Sequence, residues 1–567
     1  MYRTLTLAMA FALAVAVAAP ALGDEAPPDR SDKLGKVKHI VVIYQENHSF
    51  DNLFGGWEGV NGLANADAAH TTQVSQAGAP YSCLKQNDVK LTSPAPLATT
   101  CTDTTTGTSF ASAFTNQPFA IDDYVAPTDS SCPAPGRPSG PPGVAKGAGQ
   151  PGGCIEDIVH RYYQEQYQLD GGRQDRYTTG SDAIGLTQGY YRTQQLPLYA
   201  YLHEPGHPRY AVEDDFFQAA FGGSFLNHQW LIAAATPTFP NPPASLRSTI
   251  DSNGMVMNYP LYTATGAVSD KSVTATCAQS AAVGRSDLGC GDYAVNTAQP
   301  QFQPFSPGTA AANRLPAQTA PTIGDELSAA GVDWAWYAGG WSNANGDVDG
   351  PGWTNGHGPT CADSHAFATA VYPNCPDRLF QFHHQPFNYF ASFAPGTAAR
   401  AAHLRDEDEF IDAAASSTQN GCNLKPVSFV KPIGAENEHP GYASETAGSS
   451  HLVDLLRAIE DGGCRKDTMV ITTYDEFGGA WDHVPPPGQG GTDGPHDVWG
   501  PGTRIPAVVM APSLLGTEAI DHTQHDTTSI LATIEHRFGL DPLGSRDGAV
   551  ADLSSAFNAI PLEDQPS

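Results

Sequence analysis

Four short runs of β-branched and aromatic residues without helical period punctuate the chain: Lys38–Tyr44 (KHIVVIY), Val332–Tyr337 (VDWAWY), Thr468–Tyr474 (TMVITTY) and Ile505–Met510 (IPAVVM). Unbroken apolar runs of this length predict strands buried on both faces. Amphipathic segments at Ser450–Gly463 and Thr527–Gly539 open on polar residues and close on Gly, which predicts helices. Strand and helix in alternation predict an α/β fold with a mainly parallel sheet flanked by helices. Ligands gather at the carboxyl ends of strands in such sheets. The polar residues just past Tyr44 and Tyr474 are therefore the first candidates for a site.

Two stretches break this rhythm. Residues 76–155 and 235–320 are rich in Gly, Pro, Ser, Thr and Ala, with PAPGRPSGPPGVAKGAGQPGG at 133–153 as the extreme case. They predict long surface insertions on one core, not linkers between independent domains. The expected organisation is a single domain over 24–567, with core blocks at 38–56, 156–232 and 325–541. Ahead of it, one Arg, an apolar run from Leu5 to Ala21 and a small-residue boundary predict an export signal over 1–23. No later stretch is long and apolar enough to span a bilayer, so the mature chain is expected in the periplasm or outside the cell, without stable membrane insertion.

Charge sharpens the picture. Sixty acidic against 29 basic residues give a formal net charge of -31, which repels the backbone of duplex nucleic acid. A site that handles phosphate in such a chain needs local positive charge, and a bound metal ion supplies it. The ten cysteines lack the spacing of zinc sites and are expected to pair as disulfides in an exported chain. Cys277/Cys290 and Cys361/Cys375 are near enough in sequence to clip loops.

Candidate chemistry sits where the strands end. Glu46-Asn47-His48-Ser49-Phe50-Asp51 follows the first run, and carboxylate and amide oxygens there suit a divalent metal, since an uncompensated buried charge is costly. Tyr474-Asp475-Glu476-Phe477-Gly478-Gly479 repeats the arrangement after the third run, and its adjacent acids repel unless protonated or bridged by a cation. Ser224 follows two glycines in FGGSFLNHQW; it is not in a GxSxG elbow, and a helix N-cap is the ordinary role of such a serine. His160, His383, His384 and His439 lie in polar-aromatic contexts suited to stabilising oxyanions.

The blocks ENHSFDNLFG, YQEQYQLDGG, GGSFLNHQW, EHPGYAS, TYDEFGGAWDHVPPP and RIPAVVMAP followed by HTQHDTTSILATIEHRFGL resemble the bacterial phosphoesterase family of exported acid phosphatases and phospholipases C. The resemblance implies an alkaline-phosphatase-like fold, with Glu46, Asn47, Asp475 and Glu476 holding a divalent metal ion. It implies Ser224 as nucleophile, and His160, one of His383 or His384, and His439 as donors to the phosphoryl oxygens and the leaving alkoxide. His48, Ser224 and the lack of an Arg pair in the signal lean toward the acid-phosphatase branch, whereas Glu476 stands where that branch usually carries Asp. The expected function is hydrolysis of phosphomonoesters through a phosphoserine intermediate. Phospholipase C cleavage of lipid head groups is the alternative, and a non-catalytic binding protein on the same scaffold is the rival of another class. Oxygen and amide ligands admit calcium, magnesium, manganese or iron, and an added His admits zinc.

Overall fold

The computed structural model describes residues 33–85, 98–124, 155–418 and 421–564. The export signal expected over 1–23 and the Pro/Gly-rich stretch at 133–153 lie outside the described residues. Nine strands form the central sheet: β1 (His39–Gln45), β2 (Tyr210–Glu213), β3 (Trp334–Ala338), β4 (Leu404–Asp406), β5 (Val427–Lys431), β6 (Thr468–Tyr474), β7 (Ala507–Met510), β8 (Glu518–Asp521) and β9 (Ile560–Pro561). Their order is β4-β3-β5-β1-β6-β7-β2-β8-β9.

The block β4-β3-β5-β1-β6 is parallel throughout. β1 and β6 are fully buried apart from the first residue of β1, as their unbroken apolar character requires. Between the strands, among other helices, the chain forms α1 (Tyr162–Leu169), α2 (Ser224–Ala233), α3 (Glu445–Asp461) and α4 (Thr528–Phe538). α3 and α4 bury Leu452, Leu455, Leu456 and Ile459, and Ile530, Leu531 and Ile534, against the core that the sheet shares.

Three expectations shift. β7 pairs antiparallel with β6, because the chain returns through 475–504 without a helix to carry a parallel crossover. α3 begins at Glu445, capped by the Ser444 side chain on Ala447 N–H, five residues before the sequence pattern opens. Gly448 hid this start. A Cβ there would sit 2.4 Å from the Glu438 nitrogen, so close packing excludes a better helix former. Finally, 235–320 contributes Ile250, Val256, Val273, Ala294 and Val295 to the main core, which its composition did not suggest.

The loops after β1 and β6 are stitched together. Ser49 Oγ donates to Trp481 O (2.7 Å), Asp51 N–H to Asp482 Oδ2 (2.9 Å), and His483 N–H to Asp51 Oδ2 (2.8 Å). Fully buried Arg504 donates to Asp482 Oδ1 (3.1 Å), Asp51 Oδ1 (3.2 Å) and the carbonyls of Asn61 and Asp214 (2.7 Å each).

Four disulfides, Cys83–Cys101, Cys277–Cys290, Cys361–Cys375 and Cys422–Cys464, clip the surface segments. Of the ten cysteines, this leaves Cys132 and Cys154, which lie outside the described residues. Thiol titration of denatured, unreduced protein is expected to find at most two free thiols per chain. Finding most cysteines free would contradict the pairing and the oxidising compartment that it implies.

Candidate active site

β1 and β6 run in step from His39↔Thr468 to Gln45↔Tyr474, so Glu46-Asn47 and Asp475-Glu476 emerge side by side at the carboxyl edge of the sheet. All four are buried. Asp475 Oδ1 accepts from Asn47 N–H (3.1 Å) and Glu476 N–H (2.9 Å), and Glu476 Oε2 accepts from Gly478 N–H (2.7 Å). Gly478 has φ 61°, and a Cβ on it would lie 2.1 Å from Asn47 O. Only glycine lets the two loops approach this closely.

Ser224 is the first residue of α2, and the N-cap is Gly223. Its hydroxyl is thus not spent as a cap; it donates to Glu46 Oε2 at 3.1 Å. Gly222, at φ 96°, and Gly223 press their backbones against His160–Tyr162, where a Cβ on Gly223 would meet His160 O at 2.7 Å. This contact sets His160 beside Ser224.

The histidines fall into two sets. His160 Nδ1 lies 2.6 Å from Ile158 O, and His439 Nδ1 lies 2.8 Å from Pro440 O. A carbonyl only accepts, so Nδ1 carries the proton in both rings. Both Nε2 atoms then face Asn47 Nδ2, at 3.5 and 3.2 Å. With its NH₂ engaged in this way, Asn47 can offer its amide oxygen to a cation. His383 and His384, which the sequence left as alternatives, diverge. His384 Nε2 is 3.2 Å from Glu46 Oε1, whereas His383 joins Ser224, His160 and His439 in lining a cavity of about 350 Å³. The other polar walls of this cavity are Asp157, Arg161, Asp182, Asn296 and Thr297.

Glu46, Asn47, Asp475, Glu476, Ser224 and the four histidines singled out as donors lie in this neighbourhood, whereas the His48 ring turns to Asn52, the Glu438 carbonyl and Glu445. Two further ones were missed. Lys431, at the end of β5, donates to Tyr44 O (2.8 Å) and Gln45 O (3.3 Å) and pairs with Glu46 Oε1. His228 lies one turn along α2 from Ser224, stacks on His384 (centroids 4.9 Å apart, planes at 4°), and reaches to within 3.8 Å of Glu46 and 3.7 Å of Asp475. Its spacing of four from Ser224 was readable in the sequence. Lys431 becomes visible only once β5 is known to lie beside β1.

The electrostatics of the site are those of crowded acids. Burial first, and Asp475 second, push Glu46 and Glu476 well above the usual carboxylate range. Burial likewise drives His228, His384 and His439 well below the usual imidazole value, and takes His383 down to about 3. Three carboxylates face one ammonium, and Asp475 Oδ2 is buried without a hydrogen-bond partner among the described residues. Such a donor set fits a divalent cation. Because folding raises the two glutamates, their contribution to stability in the metal-free protein is present below the ordinary value of 4.5 and is lost as pH rises through the folded value. Chelator-treated Glu476→Gln protein is therefore expected to melt above chelator-treated wild type at pH 8, with the gap closing by about pH 4. Melting curves with no gap at pH 8 would contradict this.

Comparison with known proteins places this chain in a family. Residues 37–541 match the model of the phosphoesterase family. Phospholipase C A of Mycobacterium tuberculosis is 32% identical over 158 residues, which is 24% of this chain and 30% of that protein. Non-specific phospholipase C1 of Arabidopsis thaliana is 28% identical over 151 residues, 23% of this chain and 27% of that protein. These alignments thus span less than a third of either relative. Among solved structures, a protein in the alkaline phosphatase superfamily from Vibrio parahaemolyticus is similar over 64% of this chain and 65% of that one, at 10% identity and a TM-score of 0.28, too low to argue from. The match over residues 37–541 is decisive on its own: the chain belongs to the phosphoesterase family.

Proposed function

We propose that the protein is an exported, metal-dependent acid phosphatase that hydrolyses phosphomonoesters through a phosphoserine intermediate. The observation that carries this reading is the Ser224 hydroxyl, held on Glu46 Oε2 at 3.1 Å in a cavity lined by His160, His383 and His439. Glu46, Asn47, Asp475 and Glu476 would hold the metal ion. When bound, it supplies positive charge to the phosphoryl oxygens and to the attacking hydroxyl.

Ser224 Oγ attacks phosphorus in line, Glu46 Oε2 takes the hydroxyl proton, and the ester oxygen leaves with a proton from an imidazolium at the cavity wall. Water then attacks the phosphoserine, the neutral imidazole accepts its proton, Glu46 returns its own to Ser224, and inorganic phosphate departs. Because Nδ1 of His160 and of His439 already donates to a carbonyl, Nε2 can donate only from the imidazolium. Burial holds His383 and His439 well below the usual imidazole value, so His160 is the ring left on the cavity wall to give that proton. The four disulfides support export.

The relatives, which are phospholipases C, favour that activity as the second reading. The cavity favours the first. Asp157, Asp182 and Arg161 line it and suit a charged, water-soluble ester, while Ile158, Val159, Phe225 and Val295 give it an apolar side as well. Relative rates on p-nitrophenyl phosphate, nucleotides, sugar phosphates and phosphatidylcholine separate the two. Faster turnover of phosphatidylcholine would reverse the assignment, and no turnover of any would favour the non-catalytic rival.

Two further outcomes are expected. Chelation abolishes activity and a divalent ion restores it; full turnover after metal removal, confirmed by elemental analysis, would eliminate the metal. Ser224→Ala lowers kcat by on the order of 10³-fold or more, with an unchanged circular dichroism spectrum. Near-normal turnover in that variant would mean that water attacks directly.

A further inference from the structure

Two strands beyond β6, the same edge of the sheet carries a second group of buried acids. β2 and β8 run parallel and pair Glu213 with Asp521 at their last residues, so two carboxylates leave the sheet side by side. His525 follows in the short parallel pairing of 525–526 with 216–217. Glu213 is 0% exposed, Asp521 5% and His525 1%, and one donor atom from each lies within 4.8 Å of the others.

Nothing among the described residues neutralises this pair. Neither Glu213 oxygen has a hydrogen-bond partner. Asp521 Oδ1 accepts from the Thr523 N–H (3.0 Å) and hydroxyl (2.6 Å), which leaves Oδ2 toward His525 Nε2 at 4.0 Å. The neighbouring Arg546 is committed to Asp526 (3.0 Å) and Asp497 (2.6 Å). The imidazole deepens the problem. His525 Nδ1 lies 3.2 Å from Ala551 O, which only accepts, so Nδ1 bears the proton. Nε2 therefore accepts from the Ser555 hydroxyl at 2.9 Å, with Glu213 Oε2 3.7 Å away. The two Glu213 oxygens and Asp521 Oδ2, buried without a hydrogen-bond partner among the described residues, repel one another unless a proton or a cation lies among them.

We infer that Glu213, Asp521 and His525, with the Ser555 hydroxyl beside them, form a second, buried site for a divalent transition-metal ion. A nitrogen ligand with carboxylates selects zinc, manganese or iron over calcium and magnesium. The Ala551 carbonyl holds the ring as carbonyls commonly hold metal-ligating imidazoles. The ion ties the ends of β2 and β8 to the segment paired with Phe216-Phe217, which leads on to Ser224. Its role is to fix the approach to the nucleophile, without touching substrate.

The test counts metal. Protein equilibrated with Zn²⁺ and freed of unbound ion by gel filtration is analysed by mass spectrometry of the elements, as wild type and as an Asp475→Asn/Glu476→Gln variant. Adding Glu213→Gln and His525→Asn to each is expected to remove one zinc per chain from both. This difference is independent of any ion at the catalytic site. An unchanged zinc count in folded proteins would overturn the site and favour a proton shared between Glu213 and Asp521. Should the added substitutions prevent folding, X-ray absorption of the Asp475→Asn/Glu476→Gln protein, native at 213 and 525, decides. One tightly held zinc with an imidazole in its shell supports the site, whereas no bound zinc, or a shell without nitrogen, overturns it.

Discussion

Mutual repulsion among buried carboxylates along one edge of the sheet is the constraint around which the rest of the structure is arranged. Glu46, Asp475 and Glu476 are wholly buried, and Asp51 and Asp482 lie beneath them, nearly as deep. Left alone, such a concentration of like charge would drive the edge apart or protonate it. Lys431 meets Glu46, and Arg504 meets Asp51 and Asp482 while bonding two loop carbonyls. Arg504 bridges its pair of acids and His483 Nδ1 lies 2.6 Å from Asp51 Oδ2, so the lower layer is a closed structural network. Lys431 offsets one charge of three, so the upper layer keeps an excess that suits a cation.

That division follows from strand register. Because β1 and β6 are in step to their last residues, both acidic loops leave the sheet at the same height. A slip of one residue would turn every side chain to the opposite face. The shared core behind these strands makes such a slip costly, so hydrophobic packing on the strands fixes electrostatics past their ends. Glycines complete the approach, with Gly478 under the Asn47 carbonyl and Gly223 against His160.

Legibility in the sequence tracked how local each feature is. β1 and β6 were readable because unbroken β-branched runs have few alternative fates, and the acids and Ser224 were readable because they follow strand ends or glycines. β2 (YAVE) and β5 (VSFVK) were missed, since each is short and mixes polar with apolar residues until neighbours bury both faces. Lys431 and Glu213 were lost with them, as their meaning depends on which strand lies alongside. The cavity wall Val295–Thr297 comes from a segment whose composition reads as loose loop, so the part of the molecule best placed to choose a substrate was the least legible.

The start of α2 shows how the local and distant constraints meet. A helix ordinarily satisfies its first N–H groups with a capping side chain, yet Gly223 has none and Ser224 directs its hydroxyl to Glu46 instead. The positive end of the helix dipole therefore faces the cavity that Ser224 lines. On the proposed mechanism an anionic phosphoryl group at Ser224 meets that end of the helix and supplies the charge complement that a cap would otherwise provide. The absence of a cap is then a feature of the site. It costs the free protein some helix stability and, on that mechanism, stabilises the charge that gathers on the phosphoryl oxygens during transfer to and from Ser224.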